Sequence, residues 1–381
     1  MSFYLKGMLT RLTLALFAAL AFVLLAAGGA GAQTPSFPQE PPPPMPTPKP
    51  KATPTPDPPK DEDYDVVRVT SNLVIVPVSV TDAAGQPVLG LKTTDFRLEE
   101  EGRAQEIAEI GDPEQVPLEI ALLLDVSGSV NERFNFEKEA AARFLKQVLK
   151  PEDRAVVFAI DQAPRLEQAR GTAESAAARL LLIPPSKGAT AFYDSVLEAA
   201  KYLEKNTPAH HRRVVVVITD GEDNNSNRTR EIAQAAYKAE NFVVGEMNSQ
   251  RREQLVRQRN EAQRQALLEV QRELQRAEAA FYSINPSGEA LRLNLPGVRA
   301  QEGMAKLAEA TGGNSFVPDR VENLEAVFRQ ITSELRSQYL LQYYSNNEGQ
   351  GNKFLRIQVN VPARPDSRVR ARQGYYPKGR K

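Results

Sequence analysis

The alternation of apolar and amphipathic segments between residues 117 and 338 constrains the fold most. The segments PLEIALLLD, RAVVFAI, RRVVVVITD and FYSINP are almost uninterrupted apolar runs, which is typical of strands buried on both faces of a sheet. Helix-like segments separate them, at 133–149, 173–182, 191–204, 229–240, 303–311 and 321–337. This order predicts an α/β fold: a doubly wound, mostly parallel sheet with helices on both faces.

The segments on either side of this unit have the two-residue period of half-buried strands. Before it, residues 66–111 include VVRVTSNLVIVPVSVTD, and after it residues 339–377 include YLLQYY, FLRIQVNV and VRARQGYY. Pro77 predicts an edge position or a break, because proline donates no ladder hydrogen bond. Each flank has few strands of its own, so we expect the two to pair into one small β-sandwich. Two separate small sheets are the alternative.

The amino terminus has the pattern of an export signal. Lys6 and Arg11 precede an apolar run from Leu12 to Ala27, and Ala30-Gly31-Ala32 follows. This pattern predicts a signal peptide cleaved after Ala32, and an uncleaved membrane anchor is the alternative. We expect no membrane contact other than through this signal or anchor. The protein is therefore expected in the periplasm, in the cell envelope or secreted. The predicted organisation is a signal peptide (1–32), a Pro-rich linker (33–63), an N-terminal β segment (64–116), the α/β domain (117–338) and a C-terminal β segment (339–381).

Composition excludes several kinds of site. The chain of 381 residues has no cysteine, so disulfides and thiolate metal sites are excluded. Its two histidines, His210 and His211, are adjacent, and we interpret them as a polar turn before a strand. Lys and Arg together number 48, as do Asp and Glu, so no basic excess indicates nucleic-acid binding.

Oxygen-bearing side chains cluster where the buried strands end. The first strand leads into Asp125-Val126-Ser127-Gly128-Ser129, a loop carries Thr190, and another strand ends in Thr219-Asp220-Gly221. Ligands of open α/β sheets bind at the carboxyl ends of strands. The five predicted metal ligands are Asp125, Ser127, Ser129, Thr190 and Asp220. These hard oxygen donors favour Mg²⁺, with Mn²⁺ or Ca²⁺ as alternatives, and two carboxylates leave positive charge for an incoming carboxylate.

These motifs, in this order, resemble the von Willebrand factor type A family with an intact metal-ion-dependent adhesion site. The resemblance covers about 117–338 and implies a Rossmann-like domain. It implies that Ser127, Ser129 and Thr190 bind the ion directly, that Asp125 and Asp220 act through water, and that a Glu or Asp of a partner protein completes the shell. The flanking segments resemble those of exported proteins of this family from acidobacteria and their relatives.

A helical insertion at about 241–280 departs from the family pattern. Within it, Leu267, Val270, Leu274, Ala277 and Phe281 form a heptad-like apolar stripe. It predicts either a helix docked by its C-terminal half or a coiled coil that joins chains through residues 249–280. From the chain path we expect the insertion to project from the face opposite the metal, unless FVVGEM (242–247) is the next strand.

The expected function is an exported, metal-dependent, adhesion-type module that binds an acidic group of a partner protein and is not an enzyme. One alternative is a metal-dependent hydrolase of the cell envelope, for which Asp223 and Glu222 are the available general bases. Another is a structural spacer that the metal stabilises. No phosphate-binding G-x-x-x-x-G-K-[ST] loop is present, so nucleotide hydrolysis is not expected.

Overall fold

A computed structural model describes residues 73–127, 132–232, 234–235, 249–288, 295–347 and 353–377. The predicted signal peptide and linker, and the FVVGEM segment, lie outside these residues. Within the described ranges, no helix is both long and apolar enough to cross a membrane. The helices are α1 (Glu132–Val148), α2 (Ala173–Leu182), α3 (Phe192–Asn206), α4 (Ser249–Arg276), α5 (Leu295–Thr311) and α6 (Leu324–Arg336). The predicted helix at 229–240 falls partly on undescribed residues, and its described part is helical at 230–232 and 234–235.

A six-stranded sheet forms the centre of the α/β domain. Its strands are β5 (Leu118–Asp125), β6 (Arg154–Ile160), β7 (Pro164–Gly171), β8 (Arg212–Ile218), β9 (Ala279–Ile284) and β10 (Asn314–Phe316). The order is β10-β9-β8-β5-β6-β7, and every neighbouring pair is parallel except β6 with β7. The mostly parallel α/β fold is therefore confirmed. The two edge strands, β7 and β10, were not expected from the sequence, because neither has an apolar run.

Helices cover both faces of this sheet. On one face, α1, α2 and α6 pack around a core that includes Phe144 and Phe328, whose rings stack with centroids 4.7 Å apart. On the other face, α3, α4 and α5 contribute Val196, Val270 and Leu307 to a second core. Both cores are apolar because the strands between them carry valine, leucine and isoleucine on both sides.

The flanking segments pair with each other into two four-stranded sheets. Their strands are β1 (Leu73–Thr81), β2 (Arg97–Glu100), β3 (Arg103–Gln105), β4 (Ile107–Gly111), β11 (Tyr339–Tyr344), β12 (Leu355–Asn360), β13 (Arg368–Ala371) and β14 (Gly374–Tyr375). The sheet orders are β13-β1-β11-β4 and β14-β12-β2-β3, and side chains of both sheets share one core. The predicted β-sandwich is present, and strands from both ends of the chain build each sheet. Pro77 does not lie on an edge strand, since β1 runs between β13 and β11, but at this residue β1 pairs only with β11 because its pairing with β13 begins at Val78.

One carboxylate lies at the centre of this sandwich. Glu100 is fully buried and accepts hydrogen bonds from the Tyr343 hydroxyl at 2.6 Å, the Tyr375 hydroxyl at 3.0 Å and the Ser345 hydroxyl at 2.7 Å. The side-chain amide of Asn347 also donates to it. Neutral donors from β11, β14 and the loop after β11 therefore satisfy the carboxylate of β2, which ties the N-terminal strands to the C-terminal ones.

The long helix α4 corrects our expectation for the insertion. Its 28 residues span about 42 Å, whereas the seven-residue strand β8 spans about 23 Å. The C-terminal end of α4 leads into β9, whose first residue is level with Arg213 at the start of β8, so this end lies opposite the metal edge. The helix runs antiparallel to the strands, and the residues from 249 to about 260 extend past the sheet on the metal side. The prediction that the insertion projects from the side opposite the metal is wrong, because α4 is itself the helix that returns the chain to the edge opposite the metal.

The apolar stripe of the insertion packs inside its own chain. Val270 and Leu274 are fully buried in the core beneath α3 and α5, and Leu267 packs at its margin. The docked-helix interpretation therefore describes the C-terminal half of α4, and this stripe is not available for a coiled coil with a second chain. Whether the protein forms oligomers stays a prediction.

Candidate metal centre

Three loops meet at the carboxyl edge of the central sheet. Strand β5 ends at Asp125, which pairs with Ile160 at the end of β6, and the preceding Leu124 pairs with Ile218 at the end of β8. The loops that begin at Val126, Asp161 and Thr219 therefore start side by side. This register follows from the parallel pairing, and it brings together residues that lie up to 94 positions apart in sequence.

Asp125 is held by hydroxyl groups on two of these loops. Its Oδ1 accepts hydrogen bonds from the backbone N–H of Ser127 at 2.9 Å and from the Ser127 hydroxyl at 2.6 Å. Its Oδ2 accepts from the Thr219 hydroxyl at 2.6 Å, and Thr219 Oγ1 in turn accepts from the backbone N–H of Gly221. The carboxylate is fixed in orientation, and the Ser127 oxygen lies directly beside it.

Burial raises the pKa of Asp125 to about 6, against the lowering effect of the hydrogen bonds from Ser127 and Thr219. The negative charge of Asp220 contributes to the rise, which also shows that the two carboxylates lie within electrostatic reach of each other. A bound cation would relieve both effects, since it would replace lost hydration and separate the two like charges with a positive one.

Thr190 is fixed by its backbone to the loop that follows Asp220. Its carbonyl oxygen accepts from the backbone N–H groups of Asn224 at 3.1 Å and Asn225 at 3.0 Å, and its own N–H donates to Asn224 Oδ1 at 2.8 Å. Asp220 Oδ1 accepts from the backbone N–H of Glu222 at 3.0 Å. The Thr190 loop and the Asp220 loop thus form one hydrogen-bonded unit.

The loop after β6 attaches the Thr190 loop to the third strand end. Asp161 Oδ1 accepts a hydrogen bond from the Ser186 hydroxyl at 2.9 Å. The backbone carbonyl of Asp161 accepts a second one from the backbone N–H of Ala191, also at 2.9 Å. The backbone N–H of Ser186 also donates a hydrogen bond to the carbonyl oxygen of Val126 at 2.7 Å, beside Ser127. Asp161 therefore holds both ends of the 186–191 segment, which carries Thr190.

Sequence reasoning did not give a role to Thr219, Asp161 or Asn224. Thr219 and Asn224 lie within or just after the quoted T-D-G motif, so their position was a usable signal. Asp161 follows the apolar run RAVVFAI at a strand end, which is the same signal that identified Asp125.

Glu137 of α1 gave no such signal. It is buried, which raises its pKa to about 7 although Arg133 lowers it, and the charges of Asp125 and Asp220 add to the rise.

The donor set fits a hard divalent cation. Within the described ranges, no group of three or more His, Cys, Asp or Glu residues could hold a metal by itself. An ion at this edge would therefore depend on hydroxyl oxygens together with Asp125 and Asp220, which is a chemistry suited to Mg²⁺. Ser129, the fifth predicted ligand, lies outside the described residues. The assignment of all five ligands stays a prediction.

Asp223, which was considered as a hydrolytic base, has a structural role in this fold. Its carboxylate accepts from the backbone N–H of Tyr193 at 3.1 Å and from the hydroxyls of Ser226 and Thr229. Burial raises its pKa. These contacts fix the N-terminus of α3, where Tyr193 is the second residue, and they occupy both oxygens of the carboxylate.

Residues 120–222 match the family model of the von Willebrand factor type A domain. This range includes most of β5, all of β6, β7 and β8, and all five predicted ligand positions. The α/β part of this chain is therefore similar to the von Willebrand factor type A domain over residues 120–222. None of the curated proteins matches the chain.

Several solved structures are similar to this chain. An aerotolerance-related membrane protein from Bacteroides fragilis shares 18% identity over 57% of this chain and 98% of its own, with a TM-score of 0.36. A von Willebrand factor type A protein from Catenulispora acidiphila shares 13% over 71% of this chain and 51% of its own, with a TM-score of 0.39. Proximal thread matrix protein 1 from the mussel byssus, with a zinc-occupied MIDAS motif, shares 14% over 62% and 49%, with a TM-score of 0.39. This chain spans about half the length of the last two proteins.

Proposed function

We propose that this protein is an exported binding module that captures an acidic group of a partner protein through a divalent cation. The ion, Mg²⁺ in our proposal, is held by Asp125, Ser127, Ser129, Thr190 and Asp220. When bound, it supplies positive charge at the sheet edge and a coordination position for a carboxylate oxygen of the partner. The proposal includes no catalytic role for any residue.

One observation carries this proposal. Asp125 is fixed between the hydroxyls of Ser127 and Thr219 at the carboxyl edge of the sheet, in a place where burial makes its negative charge unfavourable. The five proposed ligands do not complete the shell of a divalent ion that prefers six oxygen ligands. The shell therefore has room for water or for a partner's carboxylate.

Calorimetric titration of the mature chain with MgCl₂ tests the metal site. We expect saturable binding by the unmodified protein and none by Asp220→Ala, with both proteins giving the same circular dichroism spectrum. Equal affinity in the variant would remove Asp220 from the site. MnCl₂ and CaCl₂ titrations then rank the ions.

Capture from an envelope extract tests the binding function. We expect a defined protein to be retained with Mg²⁺ and released by EDTA, and to be absent from the eluate of immobilised Asp220→Ala. A spacer that the ion merely stabilises would bind the ion without retaining a protein. Turnover of generic phosphoester, peptide or glycoside substrates that Asp220→Ala abolishes would favour the hydrolase instead.

A further inference from the structure

The middle of α4, from Arg259 to Leu267, forms one wall of a cleft beside the candidate metal centre. The cleft has a volume of about 470 Å³. Its lining includes Gly221 and Asn224, which lie one and four residues after Asp220 in the chain. The insertion contributes Arg259, Asn260 and Gln263 to one wall. The cleft therefore lies next to the loop that follows Asp220.

The wall is fixed to the rest of the domain by several contacts. Arg228, on the loop after Asp220, forms an ion pair with Glu269 of α4 at 2.6 Å. Leu267 of α4 packs against Gly303 of α5, where an added Cβ would lie 3.5 Å from its side chain. Gly221 has a φ of 78° and lies so close to Met304 that a Cβ there would come within 2.7 Å of its side chain. The loop after Asp220 is thus in direct contact with both α4 and α5, and the cleft between them has a defined shape.

The cleft carries more positive than negative side chains. Arg259, Arg264, Arg299 and Lys306 line it, against the carboxylates of Glu222, Asp223 and Glu302. Asp223 is already engaged by hydroxyl and backbone donors, as described above.

Most of these cations have no acidic partner in the described part of the chain. Arg264 pairs with Glu261 on its own helix, and Arg299 donates to the neutral side chain of Asn260 at 2.8 Å. Among the described residues, Arg259, Arg299 and Lys306 have no carboxylate within ion-pair distance. Lys306 and Arg299 are exposed, so their charges are available to a molecule in the cleft.

We infer that residues 259–267 of α4 form a recognition wall that selects an acidic peptide segment of the partner. One carboxylate of that segment would reach the ion, and neighbouring carboxylates would pair with Arg259, Arg299 and Lys306. This inference rests on the proposed function, because it requires a carboxylate at the ion, and it adds the sequence character of the partner. It also gives the insertion a role that a domain without this helix lacks.

Two synthetic peptides test the inference on the mature full-length chain. Both have blocked ends and a central Glu, which is flanked by glycines in one peptide and by further Glu residues in the other. With Mg²⁺ we expect the acidic peptide to bind about tenfold more tightly than the glycine-flanked peptide, because it adds charge pairs of the partly exposed kind. The double variant Arg259→Gln/Lys306→Gln should lose about three- to tenfold affinity for the acidic peptide only.

A matched control separates local contacts from overall charge. Arg257 lies on the same helix, is highly exposed, pairs with Glu253 and does not line the cleft. Arg257→Gln/Arg272→Gln removes the same charge, and Arg272 also lies outside the cleft, so this pair should leave both peptide affinities unchanged. Titration with MgCl₂ alone should give the same affinity for all three proteins.

The outcomes distinguish this inference from the function on which it rests. Mg²⁺-dependent binding of both peptides with equal affinity would overturn the inference and leave the function intact. Equal losses in the cleft variant and the control variant would overturn it too, since the effect would then be one of net charge. Failure of both peptides to bind in the presence of Mg²⁺ would count against the function and the inference together.

Discussion

Replacing Asp125 with asparagine should stabilise the metal-free protein and abolish its response to Mg²⁺. The pKa of Asp125 rises from 3.8 to about 6 on folding because the carboxylate loses hydration. A carboxyl group with a raised pKa destabilises the fold wherever it is ionised. The penalty is absent below the unfolded pKa, grows as the pH rises from 3.8 to about 6, and is complete above that value.

The size of the effect follows from the pKa change. The rise of about two pKa units lowers the free energy of unfolding by about 3 kcal/mol at about pH 7.5. At about pH 4.5 this penalty falls to about 1 kcal/mol. Asparagine removes this penalty but disturbs the hydrogen bond from Thr219, because an amide nitrogen in place of Oδ2 cannot accept a hydrogen bond. That loss is about 1 kcal/mol. The variant should therefore be about 2 kcal/mol more stable than the unmodified protein at about pH 7.5 and equal to it at about pH 4.5.

Scanning calorimetry in EDTA at both pH values measures this difference. For a domain of this size, 2 kcal/mol corresponds to a rise in Tm of about 4 °C or slightly more. With MgCl₂ at about 100 times its Kd, the unmodified protein should gain about 2.7 kcal/mol and the variant nothing. A variant that is less stable than the unmodified protein in EDTA at the higher pH would refute the burial argument. A full Mg²⁺ response in the variant would refute the role of Asp125 as a ligand.

Four further predictions concern the rest of the chain. Asp220→Ala should change the metal-free Tm by less than about 2 °C, because the residue lies on an edge loop, and a larger fall in calorimetry would show a structural role. Glu100→Ala should lower the free energy of unfolding by about 3 kcal/mol or more, because it leaves several buried donors without an acceptor, and urea titration measures the loss. Val270→Ala should cost about 2 kcal/mol whereas the exposed neighbour Leu268→Ala should cost less than about 0.5 kcal/mol, and equal effects would contradict the packing of α4. N-terminal sequencing of exported protein should begin at Gln33, and recovery of the intact chain in the membrane fraction would indicate an anchor instead.

The sequence determined the apolar parallel strands and the chemical class of the predicted site. Buried parallel strands need apolar side chains on both faces, so β5, β6, β8 and β9 could be recognised from composition alone. A metal edge needs oxygen donors directly after such strands, which is a local requirement that motifs satisfy. Asp125 and Asp220 were predicted as ligands in this way, and the same signal could have drawn attention to Asp161.

Tertiary structure decided what depends on direction and register. The apolar stripe of α4 predicted a buried helix face, but only the connection to β9 showed that the helix runs toward the edge opposite the metal. The 3.6-residue period of an amphipathic helix is the same in both directions along its axis, so the pattern could not tell on which side of the sheet the polar end projects. The hydrogen bond from Thr219 to Asp125 was hidden for a related reason. It joins the last residue of β5 to the loop after β8, and which strand ends meet at the edge of a sheet depends on strand pairing, which no local pattern contains.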